Sequence, residues 1–262
     1  MTDIEYVLYE IKNKVAVITL NQPDSMNAIG PELADALDKA FDRASKEASA
    51  IVMLGSDRAF SAGANLKNNR LTQPSSERDL GINLEKIFNP LLRKVTELPV
   101  PFITGVRGAA AGIGSSIALS ADIIVAGRSA YFLQAFCNVG LIPDGGAAYL
   151  LAKSIGRVKA MELMLLGERY PAEQAYQDGL ITRLVEDDEV VATAMEFAER
   201  LANGPSKTLA LIRKSAWAAL ESNFTDQLDR ERKLQKKAGL TDDFQEGVMA
   251  FREKRKPNFT GK

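Results

Sequence analysis

Apolar and polar positions change their period several times along the chain, and each change marks an element. Tyr6 to Glu10 and Val15 to Asn21 alternate or run apolar on either side of Lys12-Asn13-Lys14, which predicts a β-hairpin. Asn21-Gln22-Pro23-Asp24 breaks the second strand. From Pro31 the residues Leu33, Leu37, Ala40, Phe41 and Ala44 recur at helical spacing, with proline suited to a first turn. Ala50 to Leu54 returns to strand character and runs into Gly55-Ser56-Asp57-Arg58, so the opening order is β-β-α-β.

Residues 68 to 78 are polar and carry Pro74, which predicts a mobile loop placed to cover a ligand. A helix over roughly Leu80 to Leu98 follows, ended by Pro99 and Pro101, and Phe102 to Val106 is the next strand. Ile123 to Ala126 is another short strand. Ala130-Tyr131-Phe132 then starts a connection toward the glycine-rich turn Val139 to Gly146, which leads into a helix. Beyond Pro171 only Leu180 to Val185 reads as extended. Asp187 to Ala202, Ser206 to Leu220, Thr225 to Ala238 and Asp242 to Arg255 read as successive helices. The expectation is an α/β core over residues 1–200 and a helical region over 201–262 that packs on its own core or on another subunit.

Two small-residue segments about fifty residues apart carry the candidate chemistry. Phe60-Ser61-Ala62-Gly63-Ala64-Asn65-Leu66-Lys67 is the first, and Gly108-Ala109-Ala110-Ala111-Gly112-Ile113-Gly114-Ser115-Ser116 is the second. The second lies between a strand-like and a helical run, an order that leaves free backbone NH groups where an anion could sit. Together the segments could present two NH groups to one oxygen. That arrangement suits a carbonyl that becomes negative during reaction, such as a thioester turning into an enolate.

Composition narrows the chemistry further. The chain has 262 residues, 46% hydrophobic and 26% charged, ordinary values for a soluble globular protein. Its net charge is −1, from 33 basic and 34 acidic residues, and gives no global pull toward nucleic acid or an anionic membrane. There is no histidine, which removes Ser-His-Asp and Cys-His catalysis and histidine zinc sites, so no metal site is expected. Proton transfer falls to Asp, Glu, Lys, Tyr or Cys. The lone Cys137 reads as a buried structural thiol in a reducing compartment. Acidic residues near Met1 replace the basic start of a signal peptide, and no apolar run approaches about eighteen residues; both features point to a cytoplasmic protein.

The Phe60 to Lys67 segment, the Gly108 to Asp122 segment and the Val139 to Gly146 turn, in this order and spacing, resemble the crotonase superfamily, also called the enoyl-CoA hydratase/isomerase family. The similarity runs almost end to end. It implies a crotonase-like superhelix of repeated ββα turns acting on an acyl-CoA thioester, with a C-terminal helical trimerisation region and a homotrimer or homohexamer. It also implies no separate cofactor, since the CoA is part of the substrate. Ile87-Phe88-Asn89-Pro90 and Gly140-Leu141-Ile142-Pro143-Asp144 resemble the branch that isomerises ring-epoxide thioesters in phenylacetate catabolism.

Residue by residue, Ala64 and Ile113 match the family's two oxyanion-hole positions, although Ile113 stands where glycine or alanine is usual. Hydratases of the family place glutamates at the positions that hold Ser116 and Phe136 here. Neither residue exchanges a proton as a carboxylate does, and Phe136 makes that wall apolar. Asp144 matches the base position of the family's isomerases. Its bland reading is an N-cap before a glycine-rich helix start. Burial would raise its pKa and a helix start would lower it, two effects that the sequence leaves unresolved. Ser25, Met26, Ala62, Asn65 and Leu66 match positions around the CoA site, and Phe251 with Lys254 match positions that reach CoA from the tail. Lys254 reads equally well as part of a solvated charge run. Trp217 and Met249 read as helix-packing residues. The rival functions are a 2-enoyl-CoA hydratase and a non-catalytic acyl-CoA-binding member.

Overall fold

The computed structural model describes residues 6–65 and 79–262, so Leu66, Lys67 and the polar stretch 68–78 lie outside the described residues. The opening alternation forms the expected antiparallel hairpin of β1 (Val7–Lys12) and β2 (Val15–Leu20), with Val7 opposite Leu20. α1 (Pro31–Glu47) buries the periodic Leu33, Leu37, Phe41 and Ala44, and β3 (Ala50–Leu54) follows. β4 (Ala59–Ser61) is a short strand that the sequence pattern does not announce. The expected helix over 80–98 comes in three parts: α2 (Gly81–Asn83), a π-helical turn over Leu84–Phe88, and α3 (Asn89–Glu97). Pro90 has no amide to give the carbonyl four residues earlier and its ring crowds that group, a conflict that a widened turn relieves.

β5 (Phe102–Val106), β6 (Ala109–Ala111), α4 (Ile113–Leu119), β7 (Ile123–Gly127) and β8 (Tyr131–Leu133) come next. The chain then continues through α5 (Ala147–Ile155), α6 (Arg157–Leu166), β9 (Arg169–Pro171), α7 (Ala172–Gln177) and β10 (Arg183–Val185). The extended stretch expected at 180–185 is thus only its second half. α8 (Val190–Ala202), α9 (Ser206–Ala219), α10 (Phe224–Ala238) and α11 (Asp242–Glu253) complete the chain.

One sheet runs β1-β2-β3-β5-β7-β10 and a second runs β4-β6-β8-β9. β3, β5 and β7 lie parallel in the first sheet, and β4, β6 and β8 lie parallel in the second. Each turn of chain therefore lays one strand in each sheet, and this is the ββα spiral. Alternate residues separate two cores. Ile51, Met53, Phe102 and Val106 face a large core shared with α1 and α3. Val52, Leu54, Ile103 and Val125 face a smaller one, covered by Val190, Ala194, Ala198 and Ala202 of α8 at a spacing that keeps them on one face.

The helical tail is moored by Arg213, which is 6% exposed. Its Nε donates to Asp122 Oδ2 at 2.5 Å, and its other nitrogens donate to the carbonyls of Val95 and Leu98 at the end of α3. Burial pushes the Asp122 carboxyl above its ordinary pKa, against the pull of the Arg213 charge. Further on, Asp243 accepts from the Thr260 and Gly261 amides, clipping the C-terminus to α11. Trp217 packs against the core as expected. Met249 does not; it is 51% exposed, because α11 turns that side outward. Cys137, expected to be buried, is only half-buried in the short 3-10 turn Cys137–Val139. No helix among the described residues is long and apolar enough to cross a membrane.

Candidate active site

The first donor segment is shaped by a parallel bridge between Ile29 and Ala64. Ile29 N donates to Gly63 O at 2.7 Å and Asn65 N donates to Ile29 O at 3.0 Å. In such a bridge the bonds come from the neighbours of Ala64, so its own N–H points away from Ile29. It has no acceptor among the described residues. Ala62 N donates to Met26 O at 2.8 Å, which places Ser25, Met26 and Ala62 beside this donor. Asn65 also lies there, whereas Leu66 falls outside the described residues.

The second donor segment begins where β6 ends. Gly112 N donates to Leu133 O at 2.9 Å, and Gly112 has φ of +49°, which turns the chain into α4. Ile113, the first residue of α4, precedes the helix's own hydrogen bonds, and its N–H has no acceptor among the described residues. The two segments abut. A β-carbon on Gly63, whose φ is +93°, would come within 2.9 Å of Ala111 O. One on Gly112 would lie 3.9 Å from Gly63 Cα and 3.5 Å from the Phe136 ring. Phe136 is therefore an apolar wall over the junction. The Ile113 side chain does not project into the space before the donors; it is 1% exposed. Its Cδ1 lies 2.4 Å from where a Gly145 β-carbon would be, so the isoleucine shapes the turn that carries Asp144.

Asp144 is half-buried. Its carbonyl accepts from Ala147 N at 3.0 Å and from Ser116 Oγ at 3.4 Å. The helix after it is capped at Gly146 with no side-chain bond, so the Asp144 carboxylate is not an N-cap. Its Oδ1 is buried with no hydrogen-bond partner among the described residues. Burial pushes its pKa up to about 6. Such a carboxylate is largely ionised at neutral pH yet more basic than an exposed one, which fits a group that takes and returns a proton. Ser116, at the first hydratase glutamate position, is fully buried and bonded to backbone carbonyls.

Gly145 and Gly146 also line an open cleft of about 940 Å³, together with Asn89 and Leu92 of α3, Tyr149 of α5 and Trp217 of α9. Trp217 thus faces the cleft as well as the core. Phe251 and Lys254 are not gathered in. Phe251 is 85% exposed, and Lys254 ends α11 with φ of +54°. Asn27 and Ser61 were not singled out from the sequence. Both are fully buried beneath the first donor and bonded to distant backbone. An asparagine after Pro23-Asp24 is the only sequence signal for either, and it marks a turn.

The α/β spiral that carries these segments is matched by the model of the enoyl-CoA hydratase/isomerase family over residues 10–262, and the chain belongs to that family. Among its relatives, the 1,2-epoxyphenylacetyl-CoA isomerase of Escherichia coli (strain K12) is 38% identical, over 99% of this chain and 100% of that protein. A Rhodobacter capsulatus protein named probable enoyl-CoA hydratase is 40% identical over 98% of each chain. The crystal structure of an enoyl-CoA hydratase from Polaromonas sp. JS666 superposes with a TM-score of 0.89 at 30% identity, covering 97% of this chain and 99% of that one. Relatives named for each reaction leave the choice between isomerase and hydratase to the site.

Proposed function

We propose that the protein is an acyl-CoA isomerase in which the Ala64 and Ile113 amides hold the thioester oxygen and Asp144 is the base. The buried Oδ1 of Asp144, without a hydrogen-bond partner among the described residues, carries this reading. With a 3-enoyl-CoA, Asp144 removes a proton from C2, and the electron pair of that bond moves through C1 onto the thioester oxygen, giving a dienolate conjugated with C3 and C4. The same carboxyl returns the proton to C4 and leaves the double bond between C2 and C3. Likeness to the Escherichia coli isomerase supports a second substrate class, aromatic ring-epoxide thioesters, for which the same groups would assist opening of the ring toward the oxepin. The reading calls for no metal or redox group.

Ser116 and Phe136 argue against the two-glutamate hydration of the family. A hydratase that works through Asp144 and an ordered water is the second reading, supported by relatives named as hydratases. Incubation with crotonyl-CoA and with a 3-enoyl-CoA separates the two. Isomerisation without hydration supports the proposal, and rapid hydration of crotonyl-CoA overturns it. A homotrimer or homohexamer is part of the same reading. Phe224, Leu240 and Phe251 on α10 and α11 and their junction are each more than three-quarters exposed, an apolar surface suited to another subunit.

A further inference from the structure

Ser61 is fully buried, and its hydroxyl has both of its roles filled. It accepts from Gly63 N at 3.1 Å and donates to Asn27 O at 2.8 Å. Asn27 is itself fully buried with φ of +55°. Its Nδ2 donates to Ala59 O at 3.2 Å and Phe60 O at 3.1 Å, and its Oδ1 accepts from Gln22 N at 2.8 Å. Ser61 is thereby fixed from below by a satisfied buried network, which favours a single geometry.

The same side chain reaches the other segment. A β-carbon on Gly114 would sit 2.5 Å from Ser61 Cβ and 2.6 Å from its Oγ, so the backbone of α4 rests directly on this serine. Gly63 precedes Ala64 and Gly114 follows Ile113. One residue therefore holds the turn just before the first donor by hydrogen bond and braces the turn just after the second by contact.

We propose that Ser61 is a positioning residue that sets the separation and aim of the two amide donors. The proposal rests on the oxyanion reading given above. Its role is distinct from that of Asp144, because Ser61 acts on the thioester oxygen through backbone and never on the migrating proton. Loss of the hydroxyl frees the Gly63 turn while leaving the strand and helix in place, so the donors lose aim before the fold is lost.

The test uses the full-length protein saturated with hexanoyl-CoA carrying carbon-13 at the carbonyl, a saturated thioester with no double bond to move. Infrared difference spectra read the polarisation of that carbonyl. Wild type is expected to lower the stretch on binding, and Asp144→Asn to lower it equally. Ser61→Ala is expected to lose at least about half of that shift, with kcat down roughly 10- to 100-fold and KM changed less than about threefold. Ser61→Cys keeps a donor and acceptor at the same place, slightly larger and weaker, and its values should fall between the two. A wild-type shift retained in folded Ser61→Ala or Ser61→Cys would overturn the proposal and leave the oxyanion reading standing. Stoichiometric binding with no wild-type shift would overturn both. If neither variant folds, Ser61 serves folding rather than aim, and the proposal is also overturned.

Discussion

The hydroxyl of Ser116 donates to the backbone carbonyl of Asp144 at 3.4 Å. The position where hydratases of the family carry an acid thus moors the turn on which the remaining carboxylate sits. Ser116 holds backbone and exchanges no proton, and Oδ1 of the carboxylate it supports has no hydrogen-bond partner among the described residues.

Replacing Asp144 with Asn keeps the shape of the side chain and removes the proton acceptor. Turnover should fall about 10²- to 10⁴-fold with the affinity for a saturated acyl-CoA unchanged. Exchange of the substrate's C2 proton with deuterated solvent should fall in step. Wild-type exchange in that variant would show that another group is the base.

The raised pKa of Asp144 predicts two opposed pH effects. Activity of the free enzyme, followed as kcat/KM, should rise with pH through about 6 as the carboxyl ionises. Stability moves the other way. The folded-state pKa lies above the ordinary 3.8, so this group's contribution is fully present below about pH 4 and is lost as pH rises through about 6. Discounted for its partial exposure, the loss is on the order of 1 kcal/mol. Urea unfolding from pH 4 to 7 should therefore show wild type losing that much relative to Asp144→Asn. Parallel curves would refute the shift.

Arg213 should prove more important to stability than any surface charge. Arg213→Met leaves Asp122 without its cation and the carbonyls of Val95 and Leu98 without their donor, at a cost of about 3 kcal/mol. Chemical denaturation would measure it. An effect under about 0.5 kcal/mol, the range of ordinary surface substitutions, would mean that α9 is held by its apolar contacts alone.

The exposed apolar residues of the tail predict that the protein does not persist as a monomer. Light scattering at micromolar concentration should give the mass of a trimer or hexamer, and dilution should lower the thermal midpoint. A stable monomer would refute the assembly.

Long, strongly periodic elements were legible in the sequence. α1, with Leu33, Leu37 and Phe41 on one face, and the first hairpin are instances. The second sheet was not. β4, β6, β8 and β9 have three residues each, too few to display a period, and they exist because each is laid beside another turn of the spiral. Ala64, Ile113 and Asp144 were singled out in the sequence because small-residue turns and family resemblance mark them. Asn27 and Arg213 were not readable, because the backbone carbonyls to which their side chains donate lie 32 to 118 residues away. No local pattern distinguishes them from an ordinary turn residue and an ordinary surface cation.

The ββα spiral, with one strand per turn in each sheet, has a metrical consequence. Ala64 and Ile113 stand just beyond the ends of β4 and β6, neighbouring rungs of the second sheet, and adjacent strands lie about 4.8 Å apart. Two nitrogens that share one oxygen at about 2.9 Å each, with a near-tetrahedral angle between them, also stand about 4.8 Å apart. On the proposed reading, in which the two amides share one oxygen, the pitch of the sheet would serve as the gauge for gripping it. The same reading makes the next rung, where β8 runs on toward Phe136 and Asp144, the place where side chains would choose the reaction.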